Sequence, residues 1–259
     1  MKNKFTNKWA LITGASSGIG QAIAEELARQ GCSLLLLARR EEKLHQHSEY
    51  LKARFDSDIH IYKCDLNQIE QVDHVLKDIS SKNISIDFLV NNAGCGVYGR
   101  FVQNDPKKLE NMLDLNVKAL TVLCNRVLPE MLKRGSGQIL NVASLASFQA
   151  MTNFAAYAAT KAYVLHFSEA LDEELVRSGV RVQCLCPGPV KTEFFNEAGM
   201  TDMQWGPRKR FFQTSQKVAE EAVKCLKNNK RIHLTRSFYK LLVFWQRFLP
   251  RSWVVKLSS

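Results

Sequence analysis

Seven short apolar runs punctuate the chain, at 9–13, 33–38, 59–64, 87–91, 138–143, 180–186 and 232–235. Each is continuous rather than alternating, the pattern of a strand buried on both faces of a parallel sheet. Between them lie longer stretches, 19–30, 41–55, 68–82, 106–134, 154–178 and 216–229, with the apolar spacing of amphipathic helices. Strand and helix in regular alternation predict an α/β architecture, a parallel sheet with helices on both faces. Right-handed crossovers leave a doubly wound sheet of about seven strands as the simplest topology. Its ligand crevice lies at the carboxyl ends of the strands, so the residues following each apolar run are where chemistry is expected.

The chain has 259 residues, 46% of them apolar, and no Pro/Gly/Ser-rich linker, repeat or low-complexity stretch divides it. We expect one domain over 1–235 and an extension over 236–259. The first residues hold no apolar stretch long enough for a signal peptide, and no segment approaches the roughly 20 apolar residues of a membrane span. A cytoplasmic protein is expected. The seven cysteines are scattered. Cys184 and Cys186 share one face of a buried strand, but no second pair or histidine cluster completes a zinc set, so we read core thiols and no metal. The net charge of +11 is local: residues 205–259 hold thirteen Lys or Arg against two acids, and the remainder is neutral.

The strongest chemical signal is Tyr157 and Lys161, with Ser144 thirteen residues upstream of the tyrosine. Residues four apart share a helix face, about 5–6 Å between Cβ atoms, which sets an ammonium beside a phenol. Free tyrosine titrates near pH 10. One cation lowers an acid's pKa by about 1–3 units, so two would be needed to bring it near neutrality, the lysine and an oxidised nicotinamide. On its own the pair is also what surface helices carry by chance. After the first run comes Thr13-Gly14-Ala15-Ser16-Ser17-Gly18-Ile19-Gly20, opening into a helix, where close backbone approach and free N–H groups suit phosphate. A glycine turn could equally do no more than join strand to helix. The second run ends in Ala38-Arg39-Arg40. Ala38 cannot accept from ribose hydroxyls as an acid would, and guanidinium forks suit the 2′-phosphate of NADP(H). The alternative is two solvated charges at a helix start.

With these residues in view, the chain resembles the short-chain dehydrogenase/reductase family over roughly residues 8–195. The motifs that carry the resemblance are Thr13-Gly14-x3-Gly18-Ile19-Gly20, Asp65-Leu66, Asn91-Asn92-Ala93-Gly94, Asn116, Ser144, Tyr157-x3-Lys161 and Pro187-Gly188 with Thr192. The resemblance implies a single-domain Rossmann-type fold and a catalytic set of Asn116, Ser144, Tyr157 and Lys161. Tyr157 would be general acid in carbonyl reduction and base in alcohol oxidation. Ser144 would steady the substrate oxygen. Lys161 would hold the nicotinamide ribose, and Asn116 a water in a proton relay. Gly14, Ser16, Ser17, Gly18, Ile19 and Gly20 would cradle the diphosphate, with Arg39 and Arg40 at the 2′-phosphate. Asp65 and Leu66 would meet adenine, and Asn92, Ala93 and Gly94 the adenosine side. Pro187, Gly188, Val190 and Thr192 would wrap the nicotinamide. The six histidines would be bystanders, and a homo-oligomer, dimer or tetramer, paired through the helices bearing Asn116 and Tyr157 is implied.

Two segments depart from a compact member of that family. Residues 193–214 fall where the family carries its substrate lid. Phe194, Phe195, Met200, Met203, Trp205, Phe211 and Phe212 make it apolar, which suits a lipophilic substrate or a lid that merely packs shut. In 236–259, Phe238, Leu241, Leu242, Trp245, Phe248 and Leu249 recur at helical spacing among arginines and lysines. Such a stripe packs on its own body or a second subunit, or lies on an anionic membrane surface. Arg208-Lys209-Arg210 would suit an acyl carrier protein or coenzyme A, and no base-stacking motif points to nucleic acid. The leading reading is an NADPH-dependent reductase of an apolar ketone, aldehyde or 3-oxoacyl group. An NAD(P)-linked alcohol or steroid-type dehydrogenase and a non-catalytic NADP-binding regulator are the alternatives. The intact Asn-Ser-Tyr-Lys set argues against the last.

Overall fold

A computed structural model describes residues 4–200 and 211–257 of the chain. The apolar runs become β1 (Trp9–Thr13), β2 (Ser33–Ala38), β3 (Ile59–Lys63), β4 (Ile86–Asn91), β5 (Gly137–Val142), β6 (Val180–Cys186) and β7 (Ile232–Leu234). They form one sheet in the order β3-β2-β1-β4-β5-β6-β7, with every pairing parallel. The leucine run of β2 shows why continuity was the right signal. Leu34 and Leu36 enter the core on one face of the sheet, and Leu35 and Leu37 enter the core on the other. A strand feeding two cores has no polar face to alternate with.

The first core is closed by α1 (Gly18–Arg29), α2 (Glu41–Lys52) and α8 (Ser215–Asn228). The second is closed by α3 (Ile69–Ser81), α5 (Leu120–Arg134) and α6 (Ala155–Glu174). Asp105 caps α4 (Pro106–Leu113) by accepting from the Lys107 amide at 2.9 Å, with Pro106 in the first turn. The helix expected over 106–134 is interrupted: residues Asp114–Ala119 form a wider π turn between α4 and α5. From β1 the chain crosses to β2 on one side, while β4 pairs on the other, leaving a crevice at the switch point.

All seven cysteines are free, and the Cys184 and Cys186 sulfurs face each other at 3.7 Å inside the core. Beyond β7, α9 (Ser237–Gln246) and α10 (Arg251–Leu257) form the extension. The face of α9 that packs inward is Tyr239 and Val243, not the richer stripe of Phe238, Leu241 and Trp245, which stays exposed. Among the described residues, no helix is long and apolar enough to cross a membrane. Met203, Trp205 and Arg208-Lys209-Arg210 lie outside the described residues.

Candidate active site

The turn after β1 is built so tightly that side chains would close it. Gly14 and Gly18 adopt φ of +66° and +59°, and a Cβ on Gly20 would stand 2.4 Å from the Gly14 carbonyl oxygen. Asn92 anchors this turn to the end of β4: its side-chain amide donates to the Thr13 carbonyl at 2.9 Å. The backbone amides of Asn92 and Ala93 both donate to the Thr13 hydroxyl at 3.0 Å. The result is a backbone-lined cradle leading into the amino end of α1, the surface a diphosphate needs.

Ser144 follows β5 and starts a single 3₁₀ turn, Leu145–Phe148, where its oxygen accepts from the Ala146 amide at 3.1 Å. Its hydroxyl proton is left to hydrogen-bond the phenol of Tyr157. Tyr157 and Lys161 lie on α6, as their spacing predicted, with the ammonium 5.9 Å from the ring centroid. That ammonium donates to the Val142 carbonyl at 2.9 Å, however, not to the phenol.

This corrects the expected electrostatics. Burial pushes the Tyr157 phenol up to about 12, with the Ser144 hydrogen bond pulling more weakly the other way. Burial also brings the Lys161 ammonium down to about 8. Desolvation is the largest influence on both groups, and without a second cation beside it the phenol stays protonated at neutral pH.

Asn116 sits in the π turn, fully buried. Its amide donates to the Cys95 carbonyl at 2.9 Å and to the Thr160 hydroxyl at 3.1 Å, and its oxygen accepts from the Cys95 amide at 3.0 Å. The side chain is thus a clamp on the loop after β4. The wide turn is what lets it face that loop instead of solvent.

A single cleft of 390 Å³ joins these parts. Every residue predicted for catalysis or cofactor binding lines it except Gly20, beneath the turn, and Asn116, behind the Cys95 loop. None of the six histidines does, and among the described residues no group of His, Cys, Asp or Glu is placed to hold a metal ion. Arg39 reaches the cleft exposed, with no hydrogen bond or ion pair among the described residues. Arg40 behaves differently. It donates to the Ser16 and Ser17 hydroxyls at 3.2 and 2.5 Å and pairs with Glu193 of the lid at 2.7 Å.

Lys43 meets the same carboxylate at 3.0 Å, and the two cations hold Glu193 down at about 2. Next to Glu193, the short helix α7 (Phe194–Glu197) brings Phe194 to 5.4 Å from the Tyr157 ring. Phe154 stands at 5.2 Å from the same ring and Tyr98 at 5.2 Å from Phe154, an aromatic wall beside the phenol.

Sequence reasoning missed two contributors. Glu193 carries no signal of its own, because its partners lie about 150 residues away. Tyr239 of α9 packs so closely on Gly188 that a Cβ there would fall 2.4 Å from its ring.

The family model described as short chain dehydrogenase matches residues 8–202. The chain belongs to the short-chain dehydrogenase family. An uncharacterised oxidoreductase of Staphylococcus saprophyticus is 34% identical over 228 residues, covering 88% of this chain and 94% of that one. A short-chain dehydrogenase from Sphingobium yanoikuyae, solved in complex with NADPH, superposes with a TM-score of 0.83 at 30% identity, covering 93% of this chain and 94% of that one. A bulky-bulky ketone specific alcohol dehydrogenase from Comamonas testosteroni gives 0.78 at 27% identity, with 93% and 92% covered. The protein is accordingly an oxidoreductase of the NAD(P)-dependent short-chain dehydrogenase/reductase class.

Proposed function

We propose that this short-chain dehydrogenase is an NADPH-dependent reductase of an apolar ketone, aldehyde or 3-oxoacyl group, with Tyr157 as general acid. The observation that carries the reading is the convergence of Tyr157, Ser144 and Lys161 on one cleft that also contains the glycine cradle. The cradle fits a dinucleotide: Gly14 to Gly20 take the diphosphate, with Ser16, Ser17 and Ile19 along it. Asp65, Leu66, Asn92, Ala93 and Gly94 take the adenosine half. Pro187, Gly188, Val190 and Thr192 take the nicotinamide half. When bound, that nicotinamide supplies the hydride.

The chain supplies the rest. Ser144 fixes the carbonyl oxygen against the phenol and donates to the charge that grows there. Tyr157, at about 12, is fully protonated at neutral pH, the form in which a general acid begins. Its proton passes to the substrate oxygen, and Lys161 favours the phenolate left behind. Asn116 holds the Cys95 loop, and the remaining lone pair of its oxygen holds the relay water. Phe154, Phe194 and Tyr98 exclude bulk water and favour an apolar substrate. The same contacts run backwards would oxidise an alcohol, with Tyr157 as base.

Arg39 supports NADPH over NADH. It is a guanidinium at the end of β2 with no competing partner among the described residues, whereas Arg40 is engaged by Glu193. The Comamonas relative's ketone preference supports the substrate class. The test is a panel of apolar aldehydes, ketones and 3-oxoacyl thioesters, followed by NADPH absorbance. Consumption of NADPH with at least one apolar carbonyl, and slower reaction with NADH, is expected. Reaction only with NADH, or with hydrophilic sugars alone, would overturn the assignment.

A further inference from the structure

The extension carries a surface that the reaction does not use. On a helix of 3.6 residues per turn, Tyr239, Val243 and Gln246 of α9 fall on one side and Phe238, Leu241, Phe244 and Trp245 on the other, with Phe248 in the turn that follows. Tyr239 is 2% exposed, while Phe238 is 54%, Trp245 58% and Phe248 67% exposed, and Trp253 of α10 is 60% exposed. Phe244, Trp245 and Phe248 pack on one another edge-on or tilted, at centroid distances of 5.3 to 6.1 Å, on the exposed side. Lys240 and Arg247 flank this stripe. Residues 236–257 contain five cations, Arg236, Lys240, Arg247, Arg251 and Lys256, and no acid. Among the described residues, no ion pair engages any of them.

We propose that α9 and α10 form an interfacial platform that docks on an anionic lipid bilayer. Aromatic and aliphatic side chains facing outward, with cations beside them, match the boundary between acyl chains and acidic headgroups. Helices of ten and seven residues are too short to span a membrane and lie in its plane. A second copy of the chain is a poorer occupant. Packed extension against extension, it would bring five more cations against the first five, with no Asp or Glu on either extension to pair them.

The opposite side of α9 touches the cleft wall. Tyr239 lies on Gly188, and the Gln246 side-chain amide donates to the side-chain oxygen of Gln149, both partners being cleft residues. The lipid-facing surface therefore sits one helix diameter, about 10 Å, behind the cleft. Docking sets the catalytic pocket beside the phase in which an apolar carbonyl compound concentrates.

The full chain is sedimented with vesicles of phosphatidylcholine alone and with vesicles of equimolar phosphatidylcholine and phosphatidylglycerol. Two variants are compared: Trp245→Ala with Phe248→Ala, and Lys240→Glu with Arg247→Glu. All four side chains are exposed and outside the cleft, so an unchanged thermal unfolding midpoint serves as the control for folding. We expect binding to the anionic vesicles only, reduced by added salt and on the order of tenfold or more by either variant. Equal partition into both vesicle types, or variants that bind as the parent does, would overturn the proposal. So would a dimer that Trp245→Ala with Phe248→Ala dissolves, or binding to an acyl carrier protein, if the vesicles are ignored. The vesicle result does not depend on turnover, so it fails or stands apart from the assigned reaction.

Discussion

Tyr157 and Lys161 sit one helical turn apart, yet desolvation is the largest influence on each of them. Burial pushes the phenol up to about 12 and brings the ammonium down to about 8. The lysine gives a stability prediction with a definite sign. Between its folded value of about 8 and its ordinary 10.5, the unfolded chain holds more protons than the folded one, so stability rises with pH across that window. Relative to Lys161→Met, the parent should gain on the order of 3 kcal/mol from the bottom of the window to the top, read by denaturant unfolding without cofactor. A pH-independent difference would show that the ammonium is not desolvated. Arg39 gives a second prediction. A lost charge-assisted contact to a phosphate is worth roughly a factor of 10 to 100, so Arg39→Ala should weaken NADPH by that much and leave NADH nearly unchanged. Fluorescence titration of both cofactors decides it, and equal losses would remove the 2′-phosphate assignment.

The contact between α9 and the loop after β6 has no slack. Gly188→Ala would drive a methyl into the Tyr239 ring, at a cost of about 1–3 kcal/mol. Tyr239→Ala empties a buried aromatic site, about 3–5 kcal/mol alone. Combined, the two should cost less than their sum, since the cavity accepts the methyl. Strict additivity in thermal unfolding would mean that the two residues do not press on each other. Elements of this kind show where the sequence was readable. The strands were legible because each buried run is continuous, and helices because their apolar spacing persists over several turns. The π turn at Asn116 was not, because residues 106–134 keep helical periodicity throughout. Asn116 within it is tied to the backbone of Cys95, 21 residues upstream, a contact no local pattern reveals. The inward face of α9 was also hidden. The most apolar stripe looked like the packing face, but the shape of the body at Gly188 selects Tyr239 and Val243. The motif residues of the cleft were legible individually, while the Arg40–Glu193 contact depends on a loop 153 positions away.

Across the whole molecule, charge is unevenly placed. Residues 1–204 are electrically neutral and carry β1 to β6, the described lining of the cleft and the proposed acid; the entire +11 belongs to residues 205–259, which also supply α8 and β7. The account as a whole rests on proton delivery at one phenolic oxygen within the cleft. Its most direct test compares the parent with Tyr157→Phe, measuring NADPH affinity by fluorescence and carbonyl reduction by NADPH absorbance. The account predicts unchanged NADPH affinity and turnover lowered by about 10²–10⁴-fold. Near-normal turnover in Tyr157→Phe, with cofactor still bound, would contradict it.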